Sequence, residues 1–219
     1  MSESGAGTTE AGGGRSGPLP PYLVQKSFLD DQMVVRLLDY TLTHQNDFEA
    51  TTLRGDRLDT SFRVSAFLRD LGPLKQELRS RLLPLTPALV AQLRVTPFEP
   101  EKIEVELVAH GDGAFYKQHI DTFTGRSEGQ ATQRLLSGVY YFHTRPKAFS
   151  GGALRLYAFG ADETSGDFID LEPEFNTLVV FPSWVSHEVR RVSCPSLRFA
   201  DSRFAINFWF RRRKPVHQR

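Results

Sequence analysis

Arg203-Phe204-Ala205-Ile206-Asn207-Phe208-Trp209-Phe210 is the stretch on which the fold turns. Successive side chains of a strand point to opposite faces. Phe204, Ile206, Phe208 and Phe210 therefore share one face, and Arg203, Ala205, Asn207 and Trp209 the other. The first face is a packing surface. The second sets a guanidinium among small or polar neighbours, as suits a pocket wall. A buried arginine needs an anionic partner, because an unpaired charge away from water is costly. Its planar fork fits a carboxylate through two parallel hydrogen bonds.

The same alternation runs upstream as far as residue 101, where Ile103, Val105 and Leu107 alternate with Glu104, Glu106 and Val108. Residues 135–143, 153–159, 168–171, 177–181 and 185–192 read as further strands. Turn-rich stretches such as Ser150-Gly151-Gly152 and Gly160-Ala161-Asp162 separate them. Many short strands with glycine and proline punctuation predict a barrel or sandwich. Before residue 101 the pattern is helical, after a plausible first strand over 22–28. Asp30 has the character of an N-cap, with Leu29 and Val34 placed as a hydrophobic staple. Met33, Val34, Leu37, Leu38 and Leu42 follow at helical spacing, predicting a helix over 31–45. A second helix is expected from Pro73 to about Leu93, broken or kinked by Pro84 and Pro87. No internal repeat is visible. The expected class is mainly β with N-terminal helices, in one domain over 18–211: a helical layer at 18–100 and a β core at 101–211.

Composition supports a packed core and narrows the function. The 219 residues are 40% hydrophobic and 11% aromatic, with 17 Phe. Residues 1–17, rich in Gly, Ser and Thr, cannot bury enough apolar surface to order themselves and are expected to be a disordered tail. Residues 212–219 are expected to be a solvated basic C-terminal tail. A net charge of +1 gives no bias toward nucleic acid or acidic membranes. No apolar run approaches the ~18 residues that span a bilayer, and no signal peptide is apparent. The single cysteine, Cys194, has no partner for an intramolecular disulfide. A cytoplasmic setting is the expectation.

Chemistry concentrates in two places. His119-Ile120-Asp121 puts an imidazole and a carboxylate two residues apart, on one face of an extended segment. His187, in Pro182-Ser183-Trp184-Val185-Ser186-His187-Glu188-Val189, can bring a third ligand from a distant strand. Two histidines and one carboxylate on a triangular face leave open positions, the arrangement of non-haem Fe(II) oxygenases. Each piece alone has an ordinary structural explanation, since short motifs arise by chance and a strand arginine can pair with any acid.

Taken as an ordered set, H-x-D, His-Glu-Val and Arg-aromatic-Ala-Ile-x-x-Trp resemble the Fe(II)- and 2-oxoglutarate-dependent dioxygenases, in their prolyl 4-hydroxylase-like branch. Gly111-Asp112-Gly113-Ala114-Phe115-Tyr116, Val139-Tyr140-Tyr141-Phe142 and Gly151-Gly152-Ala153-Leu154-Arg155-Leu156 add to the likeness. The resemblance covers about 101–211 and implies a double-stranded β-helix, or jelly-roll, backed by α-helices. It implies Fe(II), 2-oxoglutarate as cosubstrate and O2, with ascorbate as a supporting reductant. His119, Asp121 and His187 match the metal ligands, with no further catalytic residue. Arg203 matches the residue holding the distal carboxylate of 2-oxoglutarate, and Tyr141 a tyrosine that donates to that carboxylate in some members.

Two positions depart from the pattern. The gap from His187 to Arg203 is long, with 193–202 as an apparent insertion, which makes Arg198 a rival to Arg203. Ala109 stands where some prolyl hydroxylases carry a tyrosine. The activity implied is hydroxylation of an unactivated C–H bond with release of succinate and CO2. The substrate expected is a prolyl or other residue in a peptide or protein. The alternatives are a small-molecule hydroxylase and a non-catalytic cupin-like metal-binding module. Residues 122–133, polar and with Gly125 and Gly129, are expected to be a mobile lid. His110 and His143 are expected to be polar residues at strand ends, and His44 and His217 to have no role in the site.

Overall fold

The computed structural model describes residues 17–51, 60–122, 132–162, 164 and 167–214. In chain order the elements are β1 (Leu23–Lys26), α1 (Asp31–Thr43), β2 (Glu49–Ala50), β3 (Arg63–Val64) and β4 (Ala66–Leu68). Then come α2 (Pro73–Leu82), α3 (Thr86–Gln92), β5 (Lys102–His110), β6 (Phe115–His119) and β7 (Thr132–Phe142). The remainder is β8 (Ser150–Gly151), β9 (Leu154–Tyr157), β10 (Phe168–Leu171), β11 (Thr177–Pro182), β12 (His187–Val189), β13 (Val192–Ser193) and β14 (Arg203–Arg213).

Two antiparallel sheets face one another. The major sheet runs β1-β11-β7-β14-β5-β4-β2 and the minor β10-β9-β12-β6-β3, with β8 and β13 forming a separate ribbon. This is the double-stranded β-helix, with the helices outside the major sheet.

β14 is the axis of the arrangement because its two faces serve two cores. Phe204, Ile206, Phe208 and Phe210 pack with Met33, Val34 and Leu37 of α1 and with Leu74, Leu78 and Leu82 of α2. Ala205 instead joins Tyr141, Leu154, Leu156, Val179, Phe181 and Val185 between the two sheets. Gly138 on β7 lies opposite Phe208. Any side chain at 138 would overlap the Phe208 ring, so glycine there admits the phenylalanine.

Local signals explain the helices. Asp30 caps α1, its carboxylate accepting from the Met33 amide at 2.8 Å. α1 ends at Thr43, two residues early, where His44 takes over as C-cap. Pro73 opens α2 from the N1 position that proline favours. The long helix expected over 73–93 is interrupted at Leu83–Leu85, a 3₁₀ turn around Pro84, and resumes as α3.

Several expectations need correction. The segment 18–100 is not only helical: β1, β2 and β4 extend the major sheet and β3 the minor one. The first strand spans only Leu23–Lys26. β6 was not anticipated as a separate strand, because its Phe-Tyr-Lys-Gln-His composition lacks alternation. The strand expected over 185–192 is two short pieces, β12 and β13. β14 continues to Arg213, so the start of the supposed basic tail is strand. Thr132 and Gln133, assigned to the lid, belong to β7. The rest of that segment beyond Thr122, the tail over 1–16 and His217 lie outside the described residues. No helix among the described residues is long and apolar enough to cross a membrane.

Candidate metal centre and its cavity

β6 and β12 are neighbours in the minor sheet, and their register sets His187 directly opposite His119. Asp121 follows one residue after Ile120, on the same side as His119. A ligand atom from each of His119, Asp121 and His187 lies within 4.8 Å of the others. His119 Nε2 is 3.9 Å from Asp121 Oδ1, and His187 Nε2 is 3.7 Å from Asp121 Oδ2.

Both imidazoles are oriented by the main chain. Nδ1 of His119 lies 2.7 Å from the Lys117 carbonyl, and Nδ1 of His187 lies 2.8 Å from that of Val185. A carbonyl only accepts, so each Nδ1 carries the proton and each Nε2 keeps a lone pair for a cation. Burial, then the neighbouring His187, push His119 down to about 3. His119 is thus neutral at neutral pH, as a ligand must be. Tyr116 stacks on the His119 ring at 3.6 Å, and Phe181 meets His187 edge-on at 4.8 Å.

Asp121 is anchored from the opposite sheet. Its Oδ2 accepts from Ser137 Oγ at 2.7 Å and from Trp209 Nε1 at 2.8 Å. Burial works to raise its pKa, but the two imidazoles, Arg134 and the Ser137 hydroxyl hold the carboxyl below its ordinary value. Ser137 in turn bonds Ser183 at 2.8 Å, and the Ser183 carbonyl accepts from the amides of Asp121 and Thr122. Arg134 lies 3.8 Å above the Trp209 ring and is held by Glu104 at 3.0 Å.

Arg203 stands six residues before Trp209 on the same face of β14. It is 1% exposed. Its Nη1 donates to Nδ1 of His110 at 3.1 Å, and its Cζ lies 4.8 Å from the centre of the Tyr141 ring. Arg203 Nε and Nη2 and the Tyr141 hydroxyl are buried with no hydrogen-bond partner among the described residues. These polar atoms converge from adjacent strands, and buried groups of this kind demand partners. An incoming carboxylate supplies them, so the residues present fit a dicarboxylate cosubstrate. Gly152 leaves the room Arg203 needs: a Cβ there would lie 2.6 Å from Arg203 Cδ.

The rival arginine is elsewhere. Arg198 is paired with Asp201 at 2.7 Å, and its side chain is 73% exposed. The insertion folds on itself, with Ser196 bonding Asp201 at 2.6 Å and Phe199 packing on Phe204. Ala109 faces the helical core rather than the site, so its departure from the pattern removes no contact there. The inward residue is the next one, His110. It ends β5, as expected, but is 3% exposed, and burial first and Arg203 second hold it well below its ordinary pKa. His143 is buried at the end of β7, its Nδ1 2.8 Å from the Thr144 carbonyl. Cys194 is buried.

A cavity of about 200 Å³ opens beside the three ligand atoms. Its lining includes Arg63, Glu106, Tyr116, Arg134, Asn207 and Trp209. Sequence reasoning missed Ser137, His110 and Glu106 as site residues. The acidic inward positions of β5 were the available signal, since carboxylates rarely face the inside of a sandwich without a task.

A jelly-roll with two histidines and an aspartate at the cavity end, and an unpaired arginine on the next sheet, defines the class of non-haem iron oxygenases. Residues 105–211 match the 2OG-Fe(II) oxygenase superfamily. The chain is 33% identical over 197 residues to an uncharacterized PKHD-type hydroxylase of Synechocystis, covering 86% of this chain. It spans 62% of the length of that relative. A Pseudomonas putida prolyl-4-hydroxylase superposes with a TM-score of 0.63 at 25% identity, over 89% of this chain and 94% of the other. A prolyl hydroxylase of Trichoplax adhaerens, in complex with a hypoxia inducible factor peptide fragment, shares the fold at a TM-score of 0.62 and 19% identity, over 87% and 83% of the two chains. Over residues 105–211 the chain is similar to the 2OG-Fe(II) oxygenase superfamily, and its fold is that of the prolyl hydroxylases.

Proposed function

We propose that this chain hydroxylates an unactivated C–H bond, consuming O2 and 2-oxoglutarate and releasing succinate and CO2. One observation carries the reading. A single face of β14 links the ligand set, through Trp209 on Asp121, to the unpaired guanidinium of Arg203. A metal-binding module without turnover leaves that arginine unexplained.

In this reading His119, Asp121 and His187 hold Fe(II), the histidines through Nε2 and the aspartate as an ionised carboxylate. Bound iron with 2-oxoglutarate supplies the activation of O2 and the oxidising power. Arg203 and Tyr141 grip the distal carboxylate of the cosubstrate, and His110 keeps the guanidinium aimed. Ser137 and Trp209 fix one oxygen of Asp121, while the other lies 3.7 Å from Nη1 of Arg134. A carboxylate retained at 121 fits hydroxylation, since halogenation needs that coordination position vacant. The substrate class we propose is a residue of a peptide or protein, supported by the likeness to the P. putida prolyl-4-hydroxylase.

The test is succinate formation by protein loaded anaerobically with Fe(II) and 2-oxoglutarate and then exposed to O2. Asp121→Ala is expected to abolish it, and unchanged turnover would refute the assignment. Arg203→Ala is expected to weaken 2-oxoglutarate binding about a hundredfold, the worth of ~3 kcal/mol in charge-assisted hydrogen bonds. Calorimetry with Mn(II) in place of iron should show metal binding surviving in that variant, and Arg198→Ala behaving as wild type.

A further inference from the structure

Two polar side chains in the cavity have no hydrogen-bond or ion-pair partner among the described residues. Glu106 on β5 and Asn207 on β14 are directly opposite in the strand register, and both line the cavity. Their neighbours are engaged. Asp121 has Ser137 and Trp209, Arg134 has Glu104, and Arg63 has the Ser65 hydroxyl at 2.9 Å and the Tyr116 ring at 4.6 Å. The Glu106 carboxylate and the Asn207 carboxamide make no side-chain hydrogen bond and no ion pair among the described residues. The carboxyl is sunk deeply enough that burial raises its pKa, against the opposing charges of Arg63, Arg134 and Arg69.

A half-buried carboxyl facing a cavity is a ready acceptor for any donor that enters it. The metal does not need it, because the triad is already assembled. The cosubstrate does not need it either: 2-oxoglutarate is a dianion, which Glu106 repels and Arg203 attracts. The remaining occupant is the molecule that is hydroxylated. The complement of a carboxylate paired with a carboxamide oxygen is a hydrogen-bearing nitrogen.

We propose that Glu106, backed by Asn207, selects the organic substrate by accepting from an amine or ammonium N–H that enters the cavity beside the oxidised carbon. The inference rests on the iron-site reading. It narrows the substrate to an amino-bearing end: a basic side chain, a chain N-terminus or a free amino acid. A proline inside a peptide chain has no N–H and is the counter-case.

The full chain, loaded with Fe(II) and 2-oxoglutarate, is assayed for succinate with a panel in two arms. One arm holds free lysine, arginine, histidine and proline. The other holds short peptides bearing those residues internally and at the N-terminus, each compound paired with a counterpart whose amine is fully N-methylated so that it keeps its charge but carries no N–H. Amine-bearing members are expected to stimulate turnover at least tenfold more than their blocked partners, and the responding arm distinguishes free from peptidyl substrate. Glu106→Met should lower kcat/KM for the best member at least tenfold. Glu106→Gln, which keeps an acceptor oxygen but loses the charge, should fall between. Near-UV circular dichroism verifies that each variant is folded.

Wild-type kcat/KM in a folded Glu106→Met overturns the proposal, as does a best substrate lacking any N–H. So does the absence of stimulation by every amine, if calorimetry shows Mn(II) and 2-oxoglutarate bound. Failure of the wild type to bind Mn(II) and 2-oxoglutarate counts instead against the iron-site reading.

Discussion

His110 assists Arg203 only while its imidazole is neutral, because Nδ1 must accept from the guanidinium. Burial and the adjacent charge keep its folded pKa well below the ordinary histidine value. The sign follows from linkage. Above about pH 6.5, where an unfolded histidine is neutral, the contribution to stability is complete. As pH falls below that, the unfolded chain takes up a proton that the folded chain refuses, and stability is lost at up to ~1.4 kcal/mol per pH unit. His119 acts in the same sense, down to about pH 3. Urea midpoints of the metal-free protein should therefore decline from pH 7.5 to pH 5. His110→Asn should decline less steeply, by close to one proton's slope, because the shares of His119 and of His143, whose pKa burial also lowers, remain. Equal slopes in the two proteins would move that proton uptake to another residue. None of this is visible in the sequence, where His110 and Arg203 are separated by 93 positions. The His119–Asp121 pair, by contrast, is legible there, since the two-residue repeat of a strand brings its members together without any knowledge of pairing.

Among the elements, β14 shows both what patterning reveals and what it hides. Its alternation correctly separates the helical core face from the site face, because the core face is uniformly apolar. β6 and β3 hide because they are short and mixed in composition, and strand pairing rather than propensity holds them. The match of Gly138 to Phe208 is equally unreadable in advance, as it depends on the register of β7 against β14. That match makes a firm expectation. Gly138→Ala forces the Phe208 ring out of place in the centre of the major sheet, at a cost of about 1–3 kcal/mol typical of overpacking. A lowered urea midpoint with an unchanged slope is the expected readout. A midpoint equal to wild type would mean that the β7–β14 register differs from the one described.

At the scale of the whole molecule, the site spans two sheets of unequal extent. The candidate metal ligands come from β6, β12 and the residues just after β6, all on the minor sheet side. Arg203 and Tyr141 come from the major sheet. Loading the protein should therefore tie the sheets together and stabilise the entire fold. Mn(II) with 2-oxoglutarate at a hundred times the dissociation constant adds ~2.7 kcal/mol, equivalent to a rise of about 5 to 10 °C in Tm for a chain of this size. Differential scanning calorimetry checks it, with Asp121→Ala expected to show no such rise. A wild-type Tm that does not move with ligand would argue that the triad holds no metal.

The filling between the sheets has a consequence of its own. Ala205, Leu154, Phe181 and Val185 carry no reactive group, yet they occupy the layer that separates the two sheets. The span from the candidate metal ligands to the guanidinium of Arg203 is thus written in hydrocarbon, as the thickness of a gasket sets the throw of a valve. A related chain can retune its bite on a longer or shorter diacid by trading alanine for valine in that layer, leaving every polar residue untouched.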